Sequence, residues 1–270
     1  MPELPDLEAY RTFFNGRLPG VAIEAVTVRI PIVIRVPKDD FIATLTGNVF
    51  GEVERRGKYM LFSLRSGDYL AIHPMLTGRL QYRRPQERRQ PKTCFVLALS
   101  NGHELRYFDE RRMGKVYLVK HGDLDTLPLF AELGPEPLSD EFTEETFRAH
   151  LRHFRGQMKS VIRNDSLVAA IGNAYADEIL FAAGIHPYSK RVDLPPEAEG
   201  RLYQAIRSVL GQAVAIVTER VEKEGLPADE YRDHLKVHRR GGQPCPKCGS
   251  PISEITSNQR ITSFCRHCQK

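Results

Sequence analysis

Residues 245–268 read CPKCGSPISEITSNQRITSFCRHC, and the spacing of Cys245, Cys248, Cys265 and Cys268 within them sets the organisation of the chain. C-x2-C-x16-C-x2-C is the spacing of a four-thiolate zinc site. Each C-x2-C pair offers two sulfurs from one tight turn, and sixteen residues between the pairs suffice for two short strands and a connection. A tail of about 30 residues buries too little apolar surface to fold alone, so metal binding is expected to supply most of its folding free energy. A disulfide pair and a redox C-x2-C stand beside zinc as other readings; a cytosolic setting disfavours the first, and tandem pairs at zinc spacing the second. Cys94, the fifth cysteine, lies in the apolar run Cys94 to Leu99 and reads as a buried strand residue.

The same tail carries the charge asymmetry. The 270 residues have a formal net charge of +5. From Tyr231 to Lys270, eight Lys or Arg face only Asp233 and Glu254, a local +6. The remaining residues therefore sum to −1, and the excess points to a polyanionic partner. A second basic stretch, RRPQERRQPK at 83–92, has the composition of an exposed loop and reads equally well as a solvated face.

The length accommodates two domains. No apolar run reaches the ~18 residues of a membrane span, and no basic segment, apolar stretch and cleavage site open the chain. A cytosolic monomer is expected, with no membrane contact.

Working back from the tail, the apolar period is helical. Phe142 to Phe154, Met158 to Arg163, Ala174 to Ala183 and Pro195 to Glu224 read as helices, the third stopped by Gly184 with Pro187 beyond, the fourth carrying Leu202, Ile206, Val209, Leu210, Ala213, Val214 and Val217 on one face. In the stretch Ile171 to Glu178, Asn173 is expected to cap the third helix and Gly172 to allow a close approach, leaving N–H groups that can hold a phosphate. From His121 to Asp140, three prolines without a clean period mark a linker.

Before it, Val21–Arg29, Lys58–Leu64, Tyr69–Ile72, Cys94–Leu99, His103–Phe108 and Lys115–Val119 are rich in β-branched and aromatic residues. Ser66-Gly67-Asp68 and Ser100-Asn101-Gly102 read as hairpin turns. This half is expected to be an antiparallel sandwich or flattened barrel. At the start, MPELPDLEAY predicts a short helix over residues 6–10 with Pro5 in its first turn.

PELPDLE, RRGKYM at 55–60, HPMLTGRL at 73–80, DERRMG at 109–114, IGNAYADEILFAAGIHP at 171–187 and QRITSFCRHCQK at the end together resemble the formamidopyrimidine-DNA glycosylase and endonuclease VIII (Fpg/Nei) family, the start being closer to the Fpg branch. The resemblance implies a multi-domain α+β fold: an N-terminal helix and catalytic β-sandwich over 1–120, a linker over 121–140, a helix-two-turn-helix DNA-binding domain over 141–238, and a zinc-finger β-hairpin over 239–270. It also implies a bifunctional DNA glycosylase and abasic-site lyase of base excision repair. Such an enzyme acts on double-stranded DNA with a damaged base or abasic site in a bacterial-type cytoplasm and nucleoid. One structural Zn2+ and no organic cofactor are expected.

Residue by residue, the resemblance implies that Pro2, once Met1 is removed, attacks C1′ through its secondary amine. An α-amino group has a reference pKa near ~7.7 to 8.0, so a useful fraction is the free nucleophile at neutral pH. Glu3 matches the family's catalytic acid, and Lys58 a lysine that contacts phosphate and assists excision. His73, Leu76, Arg111, Met113, Asn173 and Arg260 match DNA-contacting positions. Leu76, Arg111 and Met113 fill the void left by an extruded base, and Glu178 matches a carboxylate near the base pocket. Each has an ordinary structural reading as well: surface lysine, loop packing, helix-favouring acid. A non-catalytic damaged-DNA-binding protein is the other functional reading, against which the joint presence of Pro2, Glu3 and Lys58 argues.

The chain departs from the Fpg pattern at three places. Asp6 replaces a glutamate, DERRMG replaces DPRRFG, and the stretch from Ile216 to Arg240 lacks a Gly-Gly start and has His238-Arg239 in place of Tyr-Gly. Since that last stretch is associated with recognising the oxidised base, oxidised purines such as 8-oxoguanine or formamidopyrimidines are the first expectation, with oxidised pyrimidines or another lesion next. The opposite-base preference is left open.

Overall fold

Strand-forming residues in the N-terminal half pair into two four-stranded antiparallel sheets in the computed structural model, which describes residues 1–257 and 260–270. One sheet has the order β1(Ile23–Val28), β6(Thr93–Leu99), β7(Glu104–Asp109), β5(Gly78–Arg83); the other β2(Phe50–Arg56), β3(Tyr59–Leu64), β4(Asp68–His73), β8(Lys115–Lys120). Helix α1(Leu4–Asn15) and helix α2(Lys38–Leu45) complete the layer arrangement.

Alternation decides the inner faces. Phe50 and Val53 of β2, Met60, Phe62 and Leu64 of β3, Leu70 and Ile72 of β4, and Phe95, Leu97 and Leu99 of β6 share one core with Leu7, Phe14 and Phe41. β3 and β4 read as nearly unbroken apolar runs because their other face is covered too, where Tyr59, Leu61, Tyr69 and Ala71 pack with Leu127 and Phe130. Residues 121–131 thus pack on a sheet, and they belong to the first of two compact units, Met1–Ala131 with Ile216–Tyr231. The second unit is Glu132–Ala215 with Arg232–Lys270.

In the second unit, α3(Glu144–Leu151), α4(Met158–Ile162) and α5(Asn173–Ala183) are followed by α6(Pro196–Glu224). Gly184 ends α5 in the left-handed conformation at φ 70°, as a C-terminal stop requires. The chain closes with the hairpin β9(Ser253–Ser257) and β10(Arg260–Phe264).

Both hairpin turns form, with Gly67 and Gly102 at positive φ. Several expectations need correction. The N-terminal helix runs to Asn15 because its apolar face continues through Tyr10, Phe13 and Phe14. Helix α3 is shorter than Phe142 to Phe154, since Thr143 caps it by accepting from Thr146 N–H. β2, β5 and α2 carry too many charged or glycine residues to be read from period. Asn173 does not cap α5: the cap residue is Gly172, and Asn173 is the first helical residue. Its side chain is drawn away by a long-range partner, the carbonyl of Ile261, to which Nδ2 donates at 2.8 Å.

The basic stretch 83–92 is anchored from below. Arg106 is buried and donates to the carbonyls of Arg84 and Glu87 at 2.9 and 3.1 Å, while its Nε donates to Glu104 at 2.6 Å. Loop carbonyls that lack strand partners are thereby satisfied.

Candidate active site and nucleic-acid interface

In the β unit, the chain start is the cap of α1. Glu3 is the cap residue, and its N–H donates to Asp6 Oδ2 at 2.8 Å. Pro2, Glu3 and Asp6 are all buried. Asp6 thus fixes the backbone of Glu3, and with it the bond to Pro2, by the reciprocal geometry of an acidic capping box. A shorter acid at this position still closes that bond.

Lys58 lies with Gly57 in the two-residue turn between β2 and β3, and its side chain is mostly buried. His73 ends β4, where its Nδ1 accepts from Met75 N–H at 3.1 Å and its ring meets Tyr59 edge-on. A neutral ring that accepts at Nδ1 carries its proton on Nε2 and so presents a donor there.

Leu76, Arg111 and Met113 are all exposed, the leucine and methionine at 40% each. They stand on two loops, residues 74–77 between β4 and β5 and residues 110–114 between β7 and β8. Met75 at φ 52° and Arg112 at φ 55° are left-handed, a conformation that costs a non-glycine residue about 1 kcal/mol or more. Both loops are held by Asp109, whose Oδ1 accepts from Thr77 Oγ1 and Arg111 N–H and whose Oδ2 accepts from Gly114 N–H. Beneath them lies the buried Tyr107, whose hydroxyl has no hydrogen-bond partner among the described residues. A Cβ at Gly78, the first residue of β5, or at Gly114 in the second loop would overlap that hydroxyl, so glycine at each position is what permits the approach. Burial, with Asp109 nearby, pushes the Tyr107 phenol well above its ordinary range.

The second unit is tied together by acids of α5. Glu178 is buried and its two oxygens accept from the N–H groups of Lys236, Val237 and His238 at 2.8, 2.8 and 2.9 Å. Asp177 pairs with Lys159 Nζ at 2.7 Å and with His238 Nδ1 at 2.7 Å, and accepts from Ser263 N–H at 3.1 Å. Lys159 also donates to the Ile261 carbonyl and Thr262 Oγ1. The turn before α5, the segment 236–238 and strand β10 are therefore one polar network. Arg260 is exposed at the start of β10, opposite Ser257.

The four cysteines converge. Their sulfurs all lie within 4.8 Å of one another, with Cys245 to Cys268 at 3.9 Å and Cys248 to Cys265 at 3.6 Å. Tetrahedral Zn–S bonds of about 2.3 Å place sulfurs about 3.8 Å apart, so these residues fit a zinc ion. Hydrogen bonds from Ser250 hold the Cys248 thiol down at about 6, while burial pushes the thiols of Cys265 and Cys268 up. The hairpin has outside support: Cys245, Ile252 and Cys265 pack with Phe181 and Val237, and Lys247 Nζ donates to the Phe181 carbonyl at 3.0 Å.

Sequence reasoning assigned no role to Thr77, Asp109, Tyr107, Lys159, Asp177 or His238. Asp109 and Asp177 lie inside quoted motifs, and an acid next to residues of assigned role was the available signal. Thr77 lies inside a quoted motif as well but is not an acid, and Lys159 lies outside them; their partners are 32 and 102 residues away.

Comparison with known proteins accounts for this arrangement. The formamidopyrimidine-DNA glycosylase N-terminal domain matches residues 1–116, the formamidopyrimidine-DNA glycosylase H2TH domain residues 133–224, and the zinc finger found in FPG and IleRS residues 242–270. β-Sheet unit, helical unit and cysteine hairpin together define a zinc-finger protein of the helix-two-turn-helix class. The formamidopyrimidine-DNA glycosylase of Pelotomaculum thermopropionicum is 38% identical over 275 residues, spanning 100% of this chain and 99% of that one. That of Symbiobacterium thermophilum is 40% identical over 274 residues, spanning 100% and 89%. The crystal structure of Lactococcus lactis Fpg with DNA containing N7-benzyl-Fapy-dG matches at a TM-score of 0.91 and 27% identity, over 100% of both chains. The complex of the same Fpg with abasic-site DNA matches equally well. The chain belongs to the formamidopyrimidine-DNA glycosylase family.

Proposed function

We propose that this protein is a bifunctional DNA glycosylase and abasic-site lyase of base excision repair, acting in the cytoplasm at the nucleoid on duplex DNA with an oxidised base. The observation that carries the reading is the chain start: Pro2 and Glu3 are both buried, and Glu3 caps α1 with its N–H held by Asp6.

With Met1 removed, the Pro2 amine attacks C1′. The C1′–N bond breaks and the base leaves with the electron pair, leaving Pro2 joined to C1′; the C1′–O4′ bond then opens as its oxygen is protonated, and an iminium links Pro2 to the sugar. Glu3 protonates the ring oxygen and afterwards shuttles protons. Loss of the C2′ proton then expels the 3′ phosphate, and a further elimination expels the 5′ phosphate. Lys58, His73, Asn173 and Arg260 hold phosphates, while Leu76, Arg111 and Met113 occupy the vacated stack. Among substrates, oxidised or ring-opened purines are the favoured class. The β unit carries the chemistry, and the helical unit with its hairpin grips the backbone. The zinc ion supplies folding free energy to the hairpin and takes no part in the reaction.

The test is borohydride trapping on an abasic-site duplex, with mass spectrometry to verify removal of Met1. The wild type is expected to form a covalent adduct that Pro2→Gly loses or greatly reduces. No wild-type adduct, with Pro2 free and DNA bound, would make this a damaged-DNA-binding protein without chemistry.

A further inference from the structure

The N-terminal ammonium of Met1 lies 2.9 Å from Glu230 Oε1, and Nη2 of Arg79 lies 2.8 Å from the same oxygen. Both side chains are well covered, Glu230 at 12% and Arg79 at 7% exposure. Arg79 belongs to β5, immediately after the loop that carries Leu76, and its Nη1 donates to the Gly78 carbonyl at 2.9 Å. Glu230 belongs to the segment after α6, which is part of the β unit and lies where the sequence departs from the Fpg pattern.

Backbone geometry converts this contact into a statement about substrate. Successive backbone nitrogens are at most about 3.6 Å apart, which places the Glu230 oxygen within about 6.5 Å of the Pro2 nitrogen. A nucleotide that bonds to Pro2 through C1′ takes the position Met1 holds in the unprocessed chain. Groups that touch Met1 are therefore groups that face the nucleotide. We propose that Glu230, oriented by Arg79, reads the extruded base as an acceptor for N–H donors on its edge.

The chemistry discriminates in the needed direction. An ionised carboxylate accepts hydrogen bonds and donates none, and its pairing with Arg79 offsets the cost of holding that charge out of water. Intact guanine offers a lone pair at N7, which a carboxylate repels. An oxidised or ring-opened purine carries an N–H there. The inference deepens the proposed function and rests on the reading of Pro2 as nucleophile.

The test compares single-turnover excision from duplexes holding 8-oxoguanine or ring-opened guanine with borohydride trapping on an abasic duplex, which has no base to read. Full-length protein with Met1 removed is used throughout. Glu230→Met, and Glu230→Met with Arg79→Met so that no single buried charge is left behind, are each expected to lower the ratio of excision to trapping at least tenfold, the size expected for losing a hydrogen bond to a charged group. Glu230→Asp should recover part of the ratio. An unchanged ratio in the double variant, or excision and trapping falling together, would overturn the role of Glu230. Absence of a wild-type adduct would overturn the nucleophile reading itself.

Discussion

The Thr77 hydroxyl donates to Oδ1 of Asp109 at 2.5 Å, joining the loop that carries Leu76 to the loop that carries Arg111 and Met113. Asp109 also accepts from Arg111 and Gly114 N–H, so one carboxylate sets the conformation of the second loop and its attachment to the first. On the proposed function these side chains enter a base stack together, and they gain from being held together beforehand, since the ordering entropy is lost on folding rather than on binding.

Thr77→Val keeps the shape and removes the shared hydrogen bond. A hydrogen bond to a charged group contributes about 1.5–3 kcal/mol, so excision from a lesion duplex should fall about tenfold or more. Gly78→Ala should be worse, because its Cβ meets both Tyr107 and the Pro74 backbone. Single-turnover excision kinetics, with thermal melting as a fold control, check both.

Zinc removal acts on the hairpin and spares the β unit. Among the described residues, the hairpin contributes the buried Cys245, Ile252 and Cys265, with Cys268 packed against them, to its shared cluster. Chelation or Cys245→Ala should therefore unfold the hairpin and weaken DNA binding, while the β sheets with their own core stay folded. Limited proteolysis alongside a DNA titration reads the two effects, and unchanged affinity after verified zinc loss would refute a binding role for the hairpin.

Arg239 sits at φ 59°, where the Fpg pattern has glycine, and its N–H donates to Ser263 Oγ at 3.0 Å. The position demands a left-handed residue, and arginine takes it at a cost of about 1 kcal/mol. Arg239→Gly should raise stability by up to that amount, less the extra freedom glycine gives the unfolded chain. Denaturant titration measures it.

Burial, then the charge of Arg266, lowers the pKa of His186, whose ring meets Phe264 edge-on at 4.7 Å. The folded chain then binds a proton less readily than the unfolded chain, whose histidine titrates near ~6.5. Stability should fall as pH drops through and below that value, and remain full above it. His186→Gln should flatten this part of a melting-temperature profile between about pH 7 and 5.

Local chemistry wrote much of this protein into its sequence. β3, β4, β6, β7 and β8 declare themselves by apolar runs between glycine turns, α6 by its 3.6-residue period, and the zinc site by cysteine spacing, because each is specified by residues close together in the chain. β2 and β5 do not, since FGEVERR and GRLQYR become strands only when β3 and β7 supply ladder partners. The site divides along the same line. Of the proposed site, Pro2, Glu3, Arg260 and the cysteines are visible as motif residues. What Asn173 and Glu178 bond to is not: tertiary contacts send the Asn173 amide to Ile261 and bind the Glu178 carboxylate to three backbone N–H groups. The same holds for Asp109 with Thr77 and for Glu230 with Arg79, whose partners are distant in the chain. A buried polar group must find a partner wherever the fold supplies one, and no local pattern encodes that partner.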